Sequence, residues 1–242
     1  AFAYHLKSLD VNVLSDTYVK SIVKENNLFN ISLDNHDVIQ SKTVLIATGS
    51  EPRHLGVKGE ETYKNSGVAY CAICDAPLYK GKAVVIAGGG NSAVEAAIDV
   101  AKYAKKVIVV HRSEFRADDI LQKRMKEIEG IEIYTQTQIL ELLGSTKLEG
   151  LRVLDKKTNL ERIIETEGIF IEIGHLPNSN LVKHLVKLNE LNEIIVDSKQ
   201  QTSLSGLFAA GDVTNTAYKQ IIIATAEGAK AALAASEYIN NH

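Results

Sequence analysis

Two cysteines occur in the 242 residues, as Cys71-Ala72-Ile73-Cys74, with Asp75 directly after them. Two intervening residues let the sulfurs close a small disulfide ring, and surroundings that depress a thiol pKa make such pairs reactive. Asp75 is a carboxylate placed to pass a proton during thiol–disulfide exchange. A structural zinc site usually takes four ligands, and no second cysteine pair exists to complete one, so no metal is expected. A secreted disulfide framework would need more cysteines. A redox dithiol and two incidental thiols are the readings left. A dithiol that cycles points to the cytoplasm, where disulfides are catalytic rather than structural.

The second centre is Gly88-Gly89-Gly90-Asn91-Ser92-Ala93, a G-x-G-x-x-A. Its first glycine permits a tight turn and Gly90 lets the backbone approach a pyrophosphate. The small Ala93 lets helix pack on strand; Asn91 completes the turn and Ser92 opens a helix whose N-terminus faces the negative charge. The pattern alone is weak; the strand before it and the helix after it give it weight. One strand further on stands His111-Arg112-Ser113-Glu114-Phe115-Arg116. An NAD site usually has an acidic residue there for the ribose hydroxyls, whereas Arg112 and Arg116 suit the 2′-phosphate of NADPH. A solvated basic loop is the bland alternative, and Glu114 would take the acidic role if the register shifted. Nicotinamide hydride carries two electrons that a disulfide does not readily accept directly, so a flavin is expected between them. Thr48-Gly49 and Gly211-Asp212 are candidate flavin contacts, because strand-end glycines admit close approach and Asp can bond a ribityl hydroxyl. Such glycines are more often plain turns.

These groups need elements to hold them. Apolar runs predict buried strands at 43–47, 83–87, 107–110 and 169–173, and imperfect alternation predicts strands at 11–14 and 28–33. Asp34-Asn35-His36-Asp37 reads as a hairpin turn. Helical spacing runs from Ser92 to Ala104, Asp118 to Ile128 and about Gln220 to Tyr238. Residues 131–134 return to the sheet, 138–143, 148–154 and 161–165 read as an antiparallel meander, and 206–212 as a strand ending at Asp212. Pro52, Gly56 and Gly59 mark a crossover between domains.

A net charge of −3 gives no electrostatic reason to expect nucleic acid. No apolar run approaches the roughly 20 residues of a membrane helix. The stretch Ala1–Lys7 lacks the pattern of a secretory leader.

In combination these residues closely resemble the low-molecular-weight thioredoxin reductases, class II pyridine nucleotide-disulfide oxidoreductases, over roughly Val44 to Ile239. Ile46-Ala47-Thr48-Gly49 is similar to that family's A-T-G turn, Cys71 to Asp75 to its C-A-x-C-D centre, and Gly88 to Ala93 to its NADPH loop. His111, Arg112 and Arg116 resemble its H-R-R-x-x-x-R clamp, with Ser113 in place of one arginine. Ile173-Gly174-His175-Leu176-Pro177-Asn178 and Phe208-Ala209-Ala210-Gly211-Asp212-Val213 match its two late signatures.

The resemblance implies an α/β fold of two Rossmann-like domains. The NADPH domain with the dithiol, 54–174, would be inserted in a FAD domain of which 1–53 and 175–242 remain. It implies that Cys74 faces the flavin, that Cys71 attacks the partner's disulfide, and that Asp75 is the acid. Gly174 belongs to the nucleotide site, Asp212 contacts the ribityl chain, and Lys219 and Gln220 lie near the isoalloxazine. Thioredoxin or a thioredoxin-like protein is the implied acceptor, and the full-length protein a homodimer. The family's N-terminal FAD glycine loop is absent, roughly 70 residues by comparison, more than twice a βαβ unit. This chain alone is therefore expected to hold FAD poorly. Two alternatives follow, a nucleotide-binding fragment without turnover and a peroxiredoxin-reducing flavoprotein subunit. The second is disfavoured by Ala72-Ile73 and His111-Arg112. A third, a flavin reductase that does not use a dithiol, would leave Cys71 and Cys74 idle.

Overall fold

A computed structural model describes Leu6, Ser8, Leu9 and residues 11–242. Apart from Leu6, the stretch Ala1–Lys7, read above for a leader pattern, lies outside the described residues. The chain divides into two compact units, 1–51 with 176–242, and 52–175.

The first unit opens with the antiparallel strands β1 (Val19–Glu25), β2 (Leu28–Leu33) and β3 (Val38–Ser41), in that order. The β2–β3 turn is the one expected at 34–37, with His36 at φ 73°. Val11–Leu14 is not a strand. Val11, Val13 and Leu14 are exposed, and no described strand lies beside them to take their backbone hydrogen bonds. The strand is instead β1, of which Ile22 alone is fully buried, so its alternation was too faint to read. β4 (Val44–Ile46) follows, and β5 (Ser50–Pro52) leads into the second unit.

The second unit is built on β6 (Val68–Ala69), α1 (Ala72–Asp75), β7 (Ala83–Ala87), α2 (Asn91–Val100), β8 (Lys106–Val110), α3 (Asp119–Lys126) and β9 (Ile131–Tyr134). It continues through the meander β10 (Thr137–Gly144), β11 (Leu148–Asp155) and β12 (Leu160–Glu165) to β13 (Gly168–Ile171). The five parallel strands run β6-β13-β7-β8-β9. Both faces are covered, which explains the continuous apolar runs. Val84, Ile86, Val107 and Val109 pack on the side of Ala93, Val94, Ala97 and Met125. Val85, Ala87, Ile108 and Val110 pack on Leu142, Leu148, Leu151 and Val153 of the meander. Connections from β7 run outward through β8 to β9, and β13 lies on β7's other side, so the strand order reverses between β7 and β13. In such sheets ligands bind beyond the carboxyl ends of the strands at this reversal.

The chain returns to the first unit through β14 (His175–Pro177), β15 (Leu207–Ala209) and α4 (Ile221–Asn241). The strand expected at 206–212 is only three residues long. Gly211 turns at φ 77°, and Gly211–Val213 form a 3-10 turn, so Asp212 sits on that turn. β15 runs parallel to β4, and Phe29, Ile46, Leu207 and Val213 share a core with Val182 and Ile194.

Candidate functional site

The glycine turn is shaped by three different demands. A Cβ on Gly88 (φ 157°) would strike the Glu172 carbonyl and the Ala93 side chain. One on Gly89 would overlap the His111 imidazole. Gly90, extended at φ −94° and the N-cap of α2, has nothing within 4 Å of that position. The first two glycines are thus required by packing. The backbone at Gly90 has open space, as a group meant to approach a ligand should. Ala93 is fully buried, and the exposed Ser92 follows Asn91 in the first turn. The Asn91 side chain donates to Asp118 Oδ2 (3.0 Å) and accepts from the Asp118 amide (2.9 Å). It therefore pins the loop after β8 to the start of α2.

That loop separates its residues by role. His111 is buried against the turn, stacked at 5.9 Å on Phe115, with Nε2 3.0 Å from Ser113 Oγ. Burial, reinforced by the Arg116 and Arg112 charges, pushes its pKa down, so the ring is neutral at pH 7. Arg112 and Arg116 are exposed and form no ion pair among the described residues, while the Arg116 amide donates to the Gly89 carbonyl (2.8 Å). Glu114 is exposed and accepts from Gln136 Nε2 (3.0 Å). Two cations near the turn are therefore unpaired, while the loop's two carboxylates, Glu114 and Asp118, bond to Gln136 and Asn91.

The cysteines form a disulfide, with Cα atoms 5.3 Å apart. Cys71 caps α1, its Sγ accepting from the Cys74 amide at 3.3 Å. Buried Ala72 and Ala76 anchor this short helix in the core it shares with α2, while Cys74, Ile73 and Leu78 face outward. Ile73 is 70% and Leu78 69% exposed. Asp75 is half-buried beside the pair, its amide donating to the Cys71 carbonyl (3.1 Å).

Two carboxylates that sequence reading missed hold this segment. Glu60, buried, accepts from the amides of Leu55 (3.1 Å) and Gly56 (2.8 Å) and from the Tyr70 hydroxyl (2.9 Å). Tyr70 immediately precedes Cys71, and its phenol also lies 3.0 Å from His54 Nδ1. Burial, then Glu60, raises the Tyr70 pKa well above its ordinary value. Glu172 follows β13, and its Oε1 accepts from the Ala72 amide at 3.3 Å. Burial pushes this carboxyl up to about 7, opposed only by that amide. A charged residue between Ile171 and Ile173 was the available signal. Its partner, 100 residues away, was not legible.

In the first unit Thr48-Gly49 follows β4, and Gly211-Asp212 follows β15 beside it. Thr48 Oγ1 donates to the Asn178 carbonyl (2.7 Å), and the Asn178 amide donates to the Gly49 carbonyl (3.0 Å). Gly49 has φ 69° with open space around it. The Gly211 amide donates to Glu227 Oε2 (2.9 Å), and the Asp212 carboxylate makes no hydrogen bond to a described residue. Lys219 Nζ is satisfied locally, donating to the carbonyls of Asp212 (3.2 Å) and Thr214 (2.6 Å) and pairing with Glu193 (2.9 Å). Gln220 is the N-cap of α4 without a side-chain cap bond. Gly174, at φ 98°, accepts on its carbonyl from the Arg53 amide (2.9 Å) in the second unit. Among the described residues no cluster of His, Cys, Asp and Glu could hold a metal ion.

The sequence pattern of the family described as "Pyridine nucleotide-disulphide oxidoreductase" matches residues 4–228. The chain is 43% identical over 243 residues to a protein of Pseudomonas putida named as a subunit of alkyl hydroperoxide reductase, covering 99% of this chain and 47% of that protein. It is 42% identical over 236 residues to a protein named NADH dehydrogenase from Bacillus subtilis (strain 168), covering 97% of this chain and 46% of the other. The chain thus spans about half the length of these relatives. Its fold superposes on the crystal structure of thioredoxin reductase from Streptococcus pyogenes MGAS5005 with a TM-score of 0.91 at 33% identity, covering 99% of this chain and 78% of that one.

The turn's geometry makes a paired prediction. Gly88→Ala should cost about 3 kcal/mol or more in urea unfolding, because a side chain there meets backbone. Gly90→Ala should stay within about 1 kcal/mol of the parent, since the position is open and its backbone ordinary. Equal losses at both would contradict the division of roles.

Proposed function

This chain belongs to the pyridine nucleotide-disulphide oxidoreductase family, and from that premise we propose that it is part of a flavoprotein disulfide reductase. In this reading electrons pass from NADPH, with FAD as relay, to the Cys71–Cys74 disulfide and on to thioredoxin or a thioredoxin-like protein. The observation that carries it is one compact unit, 52–175, holding both a disulfide on a short exposed helix and a glycine turn at the sheet's reversal point. We take that unit, bounded from the sequence as 54–174, as the nucleotide domain, and 1–53 with 175–242 as the flavin side.

The residues present fit a pyridine nucleotide. The open backbone at Gly90 and the helix start at Asn91 and Ser92 suit a pyrophosphate, with Gly88 and Ala93 allowing the turn to pack. Gly174 belongs to the same proposed nucleotide site by the resemblance, its φ of 98° being one that glycine adopts freely. Arg112 and Arg116, unpaired, suit a 2′-phosphate, with neutral His111 as the wall behind them. Thr48, Gly49 and the unpartnered carboxylate of Asp212 suit the sugar-alcohol portion of FAD, which when bound supplies the two-electron step between hydride donor and disulfide. Gln220 remains available there, whereas Lys219 serves first to brace the loop after Asp212. The only G-x-G-x-x-[GA] in the 242 residues is the one at Gly88, so none remains for a flavin pyrophosphate. We accordingly expect these residues alone to hold FAD poorly.

Cys74, exposed, and Cys71, half-buried, take the roles of flavin-facing and partner-attacking sulfur, with Asp75 as the adjoining acid. We expect the full-length protein to be a cytoplasmic homodimer; among the described residues no helix is long and apolar enough to cross a membrane.

A second reading is the peroxiredoxin-reducing flavoprotein subunit. The specific observation in its favour is the 43% identity to the alkyl hydroperoxide reductase protein of Pseudomonas putida, and Glu114 is the residue that would suit NADH.

Nucleotide preference separates the two. Arg112→Ala with Arg116→Ala should weaken NADPH binding about tenfold or more and leave NADH within about twofold. A parent that prefers NADH, or equal losses for both nucleotides, would favour the second reading. In the full-length, flavin-loaded protein, Cys71→Ser with Cys74→Ser should abolish reduction of a thioredoxin-type disulfide while reduction of a small dye continues. Disulfide reduction that survives both changes would refute the dithiol assignment.

A further inference from the structure

Glu172 touches both halves of the second unit's chemistry. Its amide donates to the Ala87 carbonyl (2.8 Å) at the end of β7, and its own carbonyl faces Gly88 too closely to admit a side chain there. Its carboxyl turns the other way and accepts from the amide of Ala72, the residue after Cys71 (3.3 Å). The side chain is mostly buried, and the shift of its titration to about 7 comes from burial with no charged neighbour contributing. The ionisable groups on the surrounding elements are Asp75 at the end of the dithiol helix and Tyr79 after it, Tyr70 before it, Arg53 and His175 near Gly174, and Glu95, which is exposed on α2.

A carboxylate used only to cap a backbone amide needs no burial, and surface side chains do this at many helix starts. A mostly buried one that changes charge near neutral pH is a different device when the amide it holds lies between two redox sulfurs. We propose that Glu172 is a positioning residue for the Cys71–Cys74 pair, coupling its own charge to whether the opened pair carries a thiolate. The proposal rests on reading that pair as redox-active.

Opening the disulfide breaks the S–S bond and adds two electrons. Each sulfur that then gains a proton becomes a thiol, and each that does not remains a thiolate. With dithiothreitol as reductant, its two thiols give up two electrons and two protons and close to a ring disulfide, so the exchange balances. An ionised Glu172 opposes a thiolate on the first turn of α1, and a protonated one does not. By linkage, a thiolate on that turn must in return hold the proton on Glu172 to higher pH.

The test uses the whole chain reduced with dithiothreitol, so it does not depend on electron flow from a nucleotide. The rate of alkylation by iodoacetamide is followed from about pH 5.5 to about 9 in the parent and in Glu172→Gln, which keeps the shape and removes the charge. The faster thiol of the variant should react roughly three- to tenfold faster than the parent's at pH 7, its profile moved to lower pH. Superimposable profiles would overturn the proposal. The parent gives an independent reading should the variant not fold, through the carboxyl 13C resonance of Glu172 in the oxidised and reduced protein. The coupling requires a higher titration midpoint in the reduced state, and equal midpoints would overturn it. If these results hold but NADPH fails to reduce the pair in the flavin-loaded parent, the proposed electron path falls and the coupling stands.

Discussion

Where β13 meets β7, the Glu172 carbonyl lies so close to Gly88 that no side chain fits between them. The Glu172 amide completes the contact by bonding the last carbonyl of β7. This approach ends two parallel strands side by side. From β7 the chain leaves through glycines and enters α2 at Gly90, whose N-cap position carries no side-chain cap bond. Just after β13, the Glu172 carboxyl reaches the first turn of the dithiol helix. The glycine turn and the disulfide are therefore placed by the same strand pair. A change that separated β13 from β7 would disturb both.

The loop after β8 shows how one short sequence divides labour. His111 cannot be a surface cation, because Gly89 has given up its side chain to make room for the imidazole and burial keeps that ring neutral. Asn91 and Asp118 lock the loop to the start of α2. Arg112 and Arg116 are thereby held near the turn without a carboxylate to neutralise them. Unpaired guanidinium groups on a braced loop are better suited to capture a phosphate than the same groups on a mobile one, since less ordering remains to be done on binding.

What could be read from the residues divides along the range of the interactions. The glycine turn, its strand and its helix are contiguous, so Ala83 to Val100 was legible, although the helix stops four residues short of the expected Ala104, and the apolar runs of a sheet covered on both faces were legible too. The cysteines, adjacent in sequence, identified themselves. Val11–Leu14 misled because alternation without a neighbouring strand does not make one, whereas β1 pairs with β2 despite a weak pattern. Glu172 stayed hidden because its partner is 100 residues away, and Glu60 because burial of a carboxylate among the amides of Leu55 and Gly56 and the Tyr70 hydroxyl leaves no pattern in the sequence. The contacts by which the Lys219 ammonium holds the loop after Asp212, the carbonyls of Asp212 and Thr214 and the Glu193 carboxylate, could likewise not be read from its place in the sequence.

The proposed electron path requires that a pyridine nucleotide bind at the carboxyl end of β7. Amide chemical-shift mapping by 15N NMR, as NADPH is added to the chain, reads that occupancy directly. The largest saturable changes should fall at 88–93 and 111–116, with smaller ones at Ala72 and Glu172. No saturable change, or changes confined to residues 11–51 and 176–242, would place the nucleotide elsewhere or nowhere on this chain.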